Sequence, residues 1–202
     1  AGHRREHDGR RQRHGPDAQL TSGGGGDGGS HPSFSHAGNT VRPPSVGPCM
    51  DDGTTAVRDD AAARGIPIEI IERPAARSLE EAAAILGVAA STIVKSLVIK
   101  RSDGAFVFAL VPGDRQLAWP KLRALLGVNK LQLPDAAAAL AATGYERGTI
   151  TPLGSTTAWP VVIDAAVTGR IALGAGAHGF SAWVETADLV RGLEATVADI
   201  SD

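Results

Sequence analysis

The sequence predicts one compact α+β domain, a mixed sheet flanked by helices, behind a disordered N-terminal segment. Two observations carry that expectation. Downstream of Met50, helical and strand patterns are intermixed without the strict βαβ alternation of a doubly wound sheet, and no internal repeat is visible. Upstream of it, residues 1–49 hold five of the six histidines (His3, His7, His14, His31, His36), a glycine run from Gly23 to Gly29 broken only by Asp27, and few large apolar side chains. A stretch of that kind cannot bury enough surface to offset its ordering entropy. The chain therefore divides near residue 50, and 50–202 is rich enough in Ala, Val, Leu and Ile for one sizeable core.

Met50 is the only methionine and position 1 is Ala, so residues 1–49 read either as a non-native extension ahead of a start at Met50 or as a genuine flexible tail. Arg4, Arg5, Arg10, Arg11 and Arg13 resemble a basic nucleic-acid arm, but Glu6, Asp8 and the histidines dilute it. The histidine spacings match no fixed metal geometry. The segment lacks the apolar core of a signal peptide, and no run in the chain has transmembrane length. The expectation is a soluble cytoplasmic protein with no membrane association, no metal and no cofactor; the sequence fixes no oligomeric state.

The elements follow in order. Ile66 to Ile71 reads as a short strand after a Gly65 turn, with Pro67 suited to a strand start or a sheet edge. Ser78 and Glu81 form a capping-box pattern for a helix whose apolar face is Leu79, Ala82, Ala83 and Leu86, stopped by Gly87. Ile93–Ile99 and Phe106–Val111 are β-rich runs around Ser102-Asp103-Gly104, a hairpin. Trp119, Leu122, Leu125 and Leu126 repeat at helical spacing up to Gly127, and Pro134 opens an Ala-rich third helix. Val161–Ile163, Arg170–Leu173 and Phe180–Val184 read as later strands, and Thr186 as the cap of a short helix through Leu193.

Several chemistries are excluded before any site is chosen. Cys49, the only cysteine, lies in the segment ahead of the domain, so the domain has no disulfide, thiolate metal site or cysteine nucleophile. From Met50 onward there are fourteen Lys and Arg against eighteen Asp and Glu, a net charge of −4. Broad phosphate-backbone binding favours a basic surface, so nucleic acid here should be held locally.

Four places remain. Lys95 shares a strand face with Ile93, Leu97 and Ile99, whereas Ser96 lies on the other with Val94 and Val98. A lysine on an apolar face loses hydration, so it either meets an anion or a cavity or snorkels at a sheet edge. The segment from Tyr145 to Gly154 carries Gly148, Pro152 and Gly154; such a loop either presents main-chain groups to an oxyanion or a nucleotide end, or merely links two elements. Gly174-Ala-Gly176-Ala-His178-Gly179 fits GxGxxG, but a strand follows it and too little chain remains for a dinucleotide domain, so a tight turn is the better account. His178 is a general base or, more simply, an exposed turn residue, since no triad partners stand near it in sequence. Asp164 either touches substrate or caps a turn.

In that order and spacing, Lys95 within Ile93-Val94-Lys95-Ser96-Leu97-Val98, Gly148-x-x-x-Pro152-x-Gly154, Val162-Ile163-Asp164 and the Gly174–Gly179 turn resemble the YbaK-like family. This family includes the editing domain inserted in bacterial prolyl-tRNA synthetases and its free-standing relatives. The resemblance covers roughly Thr54 to Ile200. It implies a partly barrel-like sheet and an aminoacyl-tRNA deacylase, most often acting on proline tRNA that carries Cys, Ala or another small amino acid, with the acceptor end of the tRNA and a prolyl-tRNA synthetase as partners. It further implies that Lys95 contacts the phosphate or adenosine of the tRNA terminus, that Gly148, Pro152 and Gly154 shape a loop holding the aminoacyl ester, and that Ser96, Asp164, Gly176 and Ser181 bind substrate. Ser181 stands where relatives carry Asp or His, which leaves the amino acid open. A non-catalytic module binding tRNA or a synthetase is the rival reading.

Overall fold

The computed structural model describes residues 52–202; the expectations for residues 1–49, including the disordered tail and Cys49, lie outside them. Five helices and eight strands follow in the order α1 (Asp52–Ala63), β1 (Ile68–Glu72), α2 (Leu79–Leu86), β2 (Val94–Arg101), β3 (Phe106–Pro112), α3 (Trp119–Leu126), β4 (Leu131–Gln132), α4 (Ala136–Thr143), β5 (Val161–Asp164), β6 (Arg170–Gly174), β7 (Phe180–Glu185), α5 (Thr186–Gly192) and β8 (Thr196–Ala198). The fold is mixed α+β, as the sequence predicts.

The strands do not form one barrel-like surface. They make two open sheets, one of three strands in the order β1-β7-β6 and one of five in the order β4-β2-β3-β5-β8. The reason lies in the pairing. β2 is bonded to β3 along its whole length, but its other edge carries a strand only at Lys100↔Gln132 and Arg101↔Leu131, because β4 is two residues long. Upstream, a single bridge between Ile93 and Ala172 is the only strand pairing between the sheets among the described residues. The ladder that would close a barrel is thus interrupted along most of one edge of β2.

Side-chain alternation assigns the two faces of the larger sheet to two apolar clusters. Val94 and Val98 of β2 and Phe108 and Leu110 of β3 join Val57 and Ala61 of α1, Ile171 and Leu173 of β6, Ala182 and Val184 of β7 and Leu189 of α5. The opposite face, with Ile99, Val107, Ala109 and Val111, packs on Leu122 of α3 and on Ile200. β3 is covered on both sides, which is why Phe106 to Val111 reads as an unbroken apolar run rather than an alternating one.

Helix boundaries follow their capping chemistry. Ser78 Oγ accepts from Glu81 N–H at 3.1 Å and Gly87 closes α2 in the left-handed region, but the Glu81 carboxylate accepts from Arg77 N–H at 2.7 Å instead of turning back to Ser78. Asp135, not Pro134, caps α4, accepting from Ala138 N–H at 2.7 Å. Thr186 is the first residue of α5 and no cap: its hydroxyl donates to the Gly169 carbonyl at 2.8 Å, and Glu185 holds the cap position with no side-chain bond.

Candidate functional site

The interrupted edge of β2 opens on a cavity of about 500 Å3. Its walls come from Ile93 and the start of β2 (Val94 to Val98), the end of β6 (Ala172 to Gly174), Phe180 and Ser181 of β7, the N-terminal end of α2, and Leu133, Pro134, Gly148 and Ile150. Four cations, Arg73, Arg77, Lys95 and Arg147, line it, and no Asp or Glu does. In a domain with net charge −4 this is a local inversion of sign. The first turn of α2, with Ser78 and Leu79 in the wall, adds the positive end of a helix.

Three of the four cations are held in place by hydrogen bonds. Arg73 follows β1 directly; its Nε donates to Ser181 Oγ at 2.8 Å and its Nη1 to the Pro74 carbonyl at 3.1 Å. Ser181 is buried, and the register Ile71↔Ser181 sets it beside the end of β1. Arg147 Nη2 donates to the Pro134 carbonyl at 3.0 Å, tying the glycine loop to the start of α4. Lys95 Nζ donates to the Arg115 carbonyl. An ammonium has three donors, so two remain for a ligand. Burial pushes its pKa below the ordinary lysine value, against the pull of Asp114 and Glu80. Ser96 Oγ is buried in the wall without a hydrogen-bond partner among the described residues, a cost that a ligand's polar group would relieve.

Of the residues singled out in the sequence, Lys95, Ser96, Gly148 and Ser181 meet at this cavity; Pro152, Gly154, Asp164 and Gly176 do not line it. Gly154 N–H donates to Asp60 of α1 at 2.9 Å, and a Cβ there would lie 2.6 Å from the Ala56 backbone and from the Tyr145 hydroxyl. Gly176 touches Gly53 backbone to backbone, where a Cβ would meet the Gly53 carbonyl oxygen at 2.5 Å. Asp164 is buried and accepts from Ala166 N–H and Ile200 N–H, both at 2.8 Å, joining β5 to the segment that follows β8. These three hold the frame. Gly174–Gly179 is the turn between antiparallel β6 and β7, and His178 is an exposed residue 3.2 Å from Glu146.

The loop from Gly148 to Gly154 has few uncommitted donors. Thr149 N–H is bonded to the Glu146 carbonyl, Leu153 N–H to Thr151 Oγ1 and Gly154 N–H to Asp60, and Pro152 has none. Gly148 and Ile150 line the cavity, and their N–H groups have no acceptor among the described residues. Arg73 and Arg77 escaped the sequence reading: isolated arginines beside Pro74 and Ser78 carry no periodic signal, and only the β1–β7 register brings Arg73 to Ser181.

Fold and cavity together define an editing domain: residues 73–191 match the aminoacyl-tRNA editing domain family, and the chain belongs to that family. Among its relatives are proline–tRNA ligases, 43% identical over 98 residues in Thermosipho africanus (48% of this chain, 17% of the ligase) and 37% identical over 143 residues in Desulfovibrio desulfuricans (70% of this chain, 24% of the ligase). The chain thus spans under a quarter of the length of these ligases. A solved structure described as a candidate trans-editing enzyme for prolyl tRNA synthetase superposes with a TM-score of 0.70 at 25% identity, over 76% of this chain and 99% of its own. The hypothetical protein APE2540 does so with a TM-score of 0.69 at 28% identity, over 73% and 99%. No described helix is long and apolar enough to cross a membrane.

Proposed function

We propose that the protein hydrolyses the ester joining a wrongly attached amino acid to the terminal ribose of a tRNA, acting in trans on proline tRNA that carries Cys, Ala or another small amino acid. The observation that carries this reading is the carboxylate-free cavity with its four cations, set in an acidic domain of an editing family. Arg73, Arg77 and Lys95 supply positive charge for the phosphate and adenosine of the terminus, and Ser96 offers its unpartnered hydroxyl to the bound end.

Hydrolysis adds water to the ester carbonyl and then expels the ribose oxygen with a proton, leaving a free amino acid and an intact tRNA 3′ end. The developing oxyanion needs hydrogen-bond donors. The N–H groups of Gly148 and Ile150 are suited to that task, with Pro152 and Gly154 keeping the loop in shape. A held water, or the neighbouring ribose hydroxyl, supplies the remaining proton transfers. Ser181 and Arg73 bound the space for the amino acid. The reaction takes place where tRNA is used, in the cytoplasm, with a prolyl-tRNA synthetase as the natural partner.

The test is single-turnover deacylation of a panel of mischarged tRNAs by the purified protein. Release of a small amino acid from proline tRNA, absent with correctly charged prolyl-tRNA, supports the proposal. Binding without release of any amino acid refutes it in favour of a non-catalytic module.

A further inference from the structure

A second hollow, of about 440 Å3, lies at the far end of β2, between the β2–β3 turn and β4, and is lined by Lys100, Arg101, Lys130 and Gln132 among others. Its one acid, Asp103, pairs with Arg101 at 3.0 Å. Of the four lysines among the described residues, Lys121 is tied to Asp199 and Asp202 and Lys95 bonds to a carbonyl, whereas Lys100 and Lys130 face no carboxylate. Lys100 only overhangs the Phe106 ring, its ammonium 6.0 Å from the centroid. In so acidic a domain, two unpaired lysines at one hollow are a local excess of positive charge.

This hollow is connected with the cavity by two routes. Ser96, Val98 and Lys100 alternate on one face of β2, so the row that begins at the orphaned Ser96 hydroxyl ends at Lys100, a span of about 13 Å. The chain from residue 130 to 134 runs alongside, with Lys130 and Gln132 in the hollow and Leu133 and Pro134 in the cavity wall. We propose that Lys100 and Lys130, with Arg101 beside them, form a second RNA-binding site that holds backbone phosphates a few nucleotides from the terminus seated in the cavity. The proposal rests on the reading of the cavity as the seat of the tRNA end.

The site predicts two separable behaviours, read from binding of two probes to the full chain over a salt series: the trinucleotide CCA and an uncharged acceptor-stem hairpin ending in CCA. The wild type binds the hairpin more tightly and with the steeper salt dependence. Lys100→Ala combined with Lys130→Ala weakens the hairpin about tenfold or more and lowers its slope of log K against log salt by about 1.5, two phosphate contacts' worth, while CCA binding is unchanged. A double variant that binds the hairpin with wild-type affinity and slope overturns the site and leaves the hollow to some other partner, such as an acidic protein. Equal weakening of both probes also overturns it, since the lysines would then act through the cavity or the fold. If the wild type binds CCA but gains nothing from the hairpin, the second site alone fails; if it binds neither, the reading of the cavity fails first.

Discussion

Replacing Gly154 with alanine should be among the most costly single-methyl additions in the domain. Its φ of +69° is a left-handed conformation that costs an L-residue about 1–2 kcal/mol. The added Cβ would lie 2.6 Å from the Ala56 backbone in α1, closer than any packed pair, so helix and loop must part. Parting breaks the 2.9 Å bond from Gly154 N–H to Asp60, a charge-assisted bond of about 1.5–3 kcal/mol. The sum is roughly 2.5–5 kcal/mol, a large share of the roughly 5–15 kcal/mol of an ordinary domain. Gly104→Ala isolates the conformational part: φ is +88° with nothing within 4 Å of the added methyl, so about 1 kcal/mol is expected. Urea unfolding of both variants measures the difference. If Gly154→Ala costs no more than Gly104→Ala, the contact with α1 does not hold the loop.

Lys95→Met should remove most deacylation while leaving the fold intact; wild-type rates with this variant would mean that the lysine serves only the Arg115 carbonyl. Because burial lowers its pKa, the unfolded chain keeps its proton to higher pH than the folded one, so Lys95 makes stability rise with pH in the window just below 10.5, and Lys95→Met should lack that rise in pH-dependent melts. Tyr145 behaves oppositely: burial pushes its hydroxyl from 10.0 to about 12, so its contribution is complete below pH 10 and lost between pH 10 and about 12. That loss is about 2–3 kcal/mol, and Tyr145→Phe, which forgoes the hydrogen bond to the Leu153 carbonyl, should not show it. Asp164→Ala should lower stability by about 3 kcal/mol in urea by leaving Ala166 N–H and Ile200 N–H without their acceptor; a neutral result would show that water replaces the carboxylate.

How far the sequence could be read depended on the range of the forces involved. α2, α3 and the β2–β3 hairpin are specified locally, by Ser78 with Gly87, by Gly127 and by Ser102-Asp103-Gly104, and all appear where expected. α1 is not expected from the sequence although Gly65 ends it in the left-handed region, with Ile66 N–H donating to the Ala61 carbonyl at 2.8 Å: of the three residues on its buried face, Thr54, Val57 and Ala61, only two are apolar, too few for a periodic signal. β4 and β8, of two and three residues, exist because β2 and β5 offer edges to pair with. At the site, Lys95 and Ser96 stood out because a lysine in an apolar strand demands an explanation. Gly154 and Gly176 stood out equally, but a glycine needed for close packing and one needed for a ligand look alike until the neighbour is known. Here the neighbours are α1 and Gly53.

The gap along β2 bears on how this family can change its substrate. Apart from the Ile93–Ala172 bridge, the residues facing one another across the gap are not hydrogen-bonded partners whose replacement would unzip a strand. Side chains such as Leu133 or Ala139 can be exchanged for larger or smaller ones at the expense of local packing, and Ser181 at the further expense of its bond to Arg73. A scaffold built this way separates the shape of the cavity from the maintenance of the fold, so the space inside can be resized on an unchanged frame.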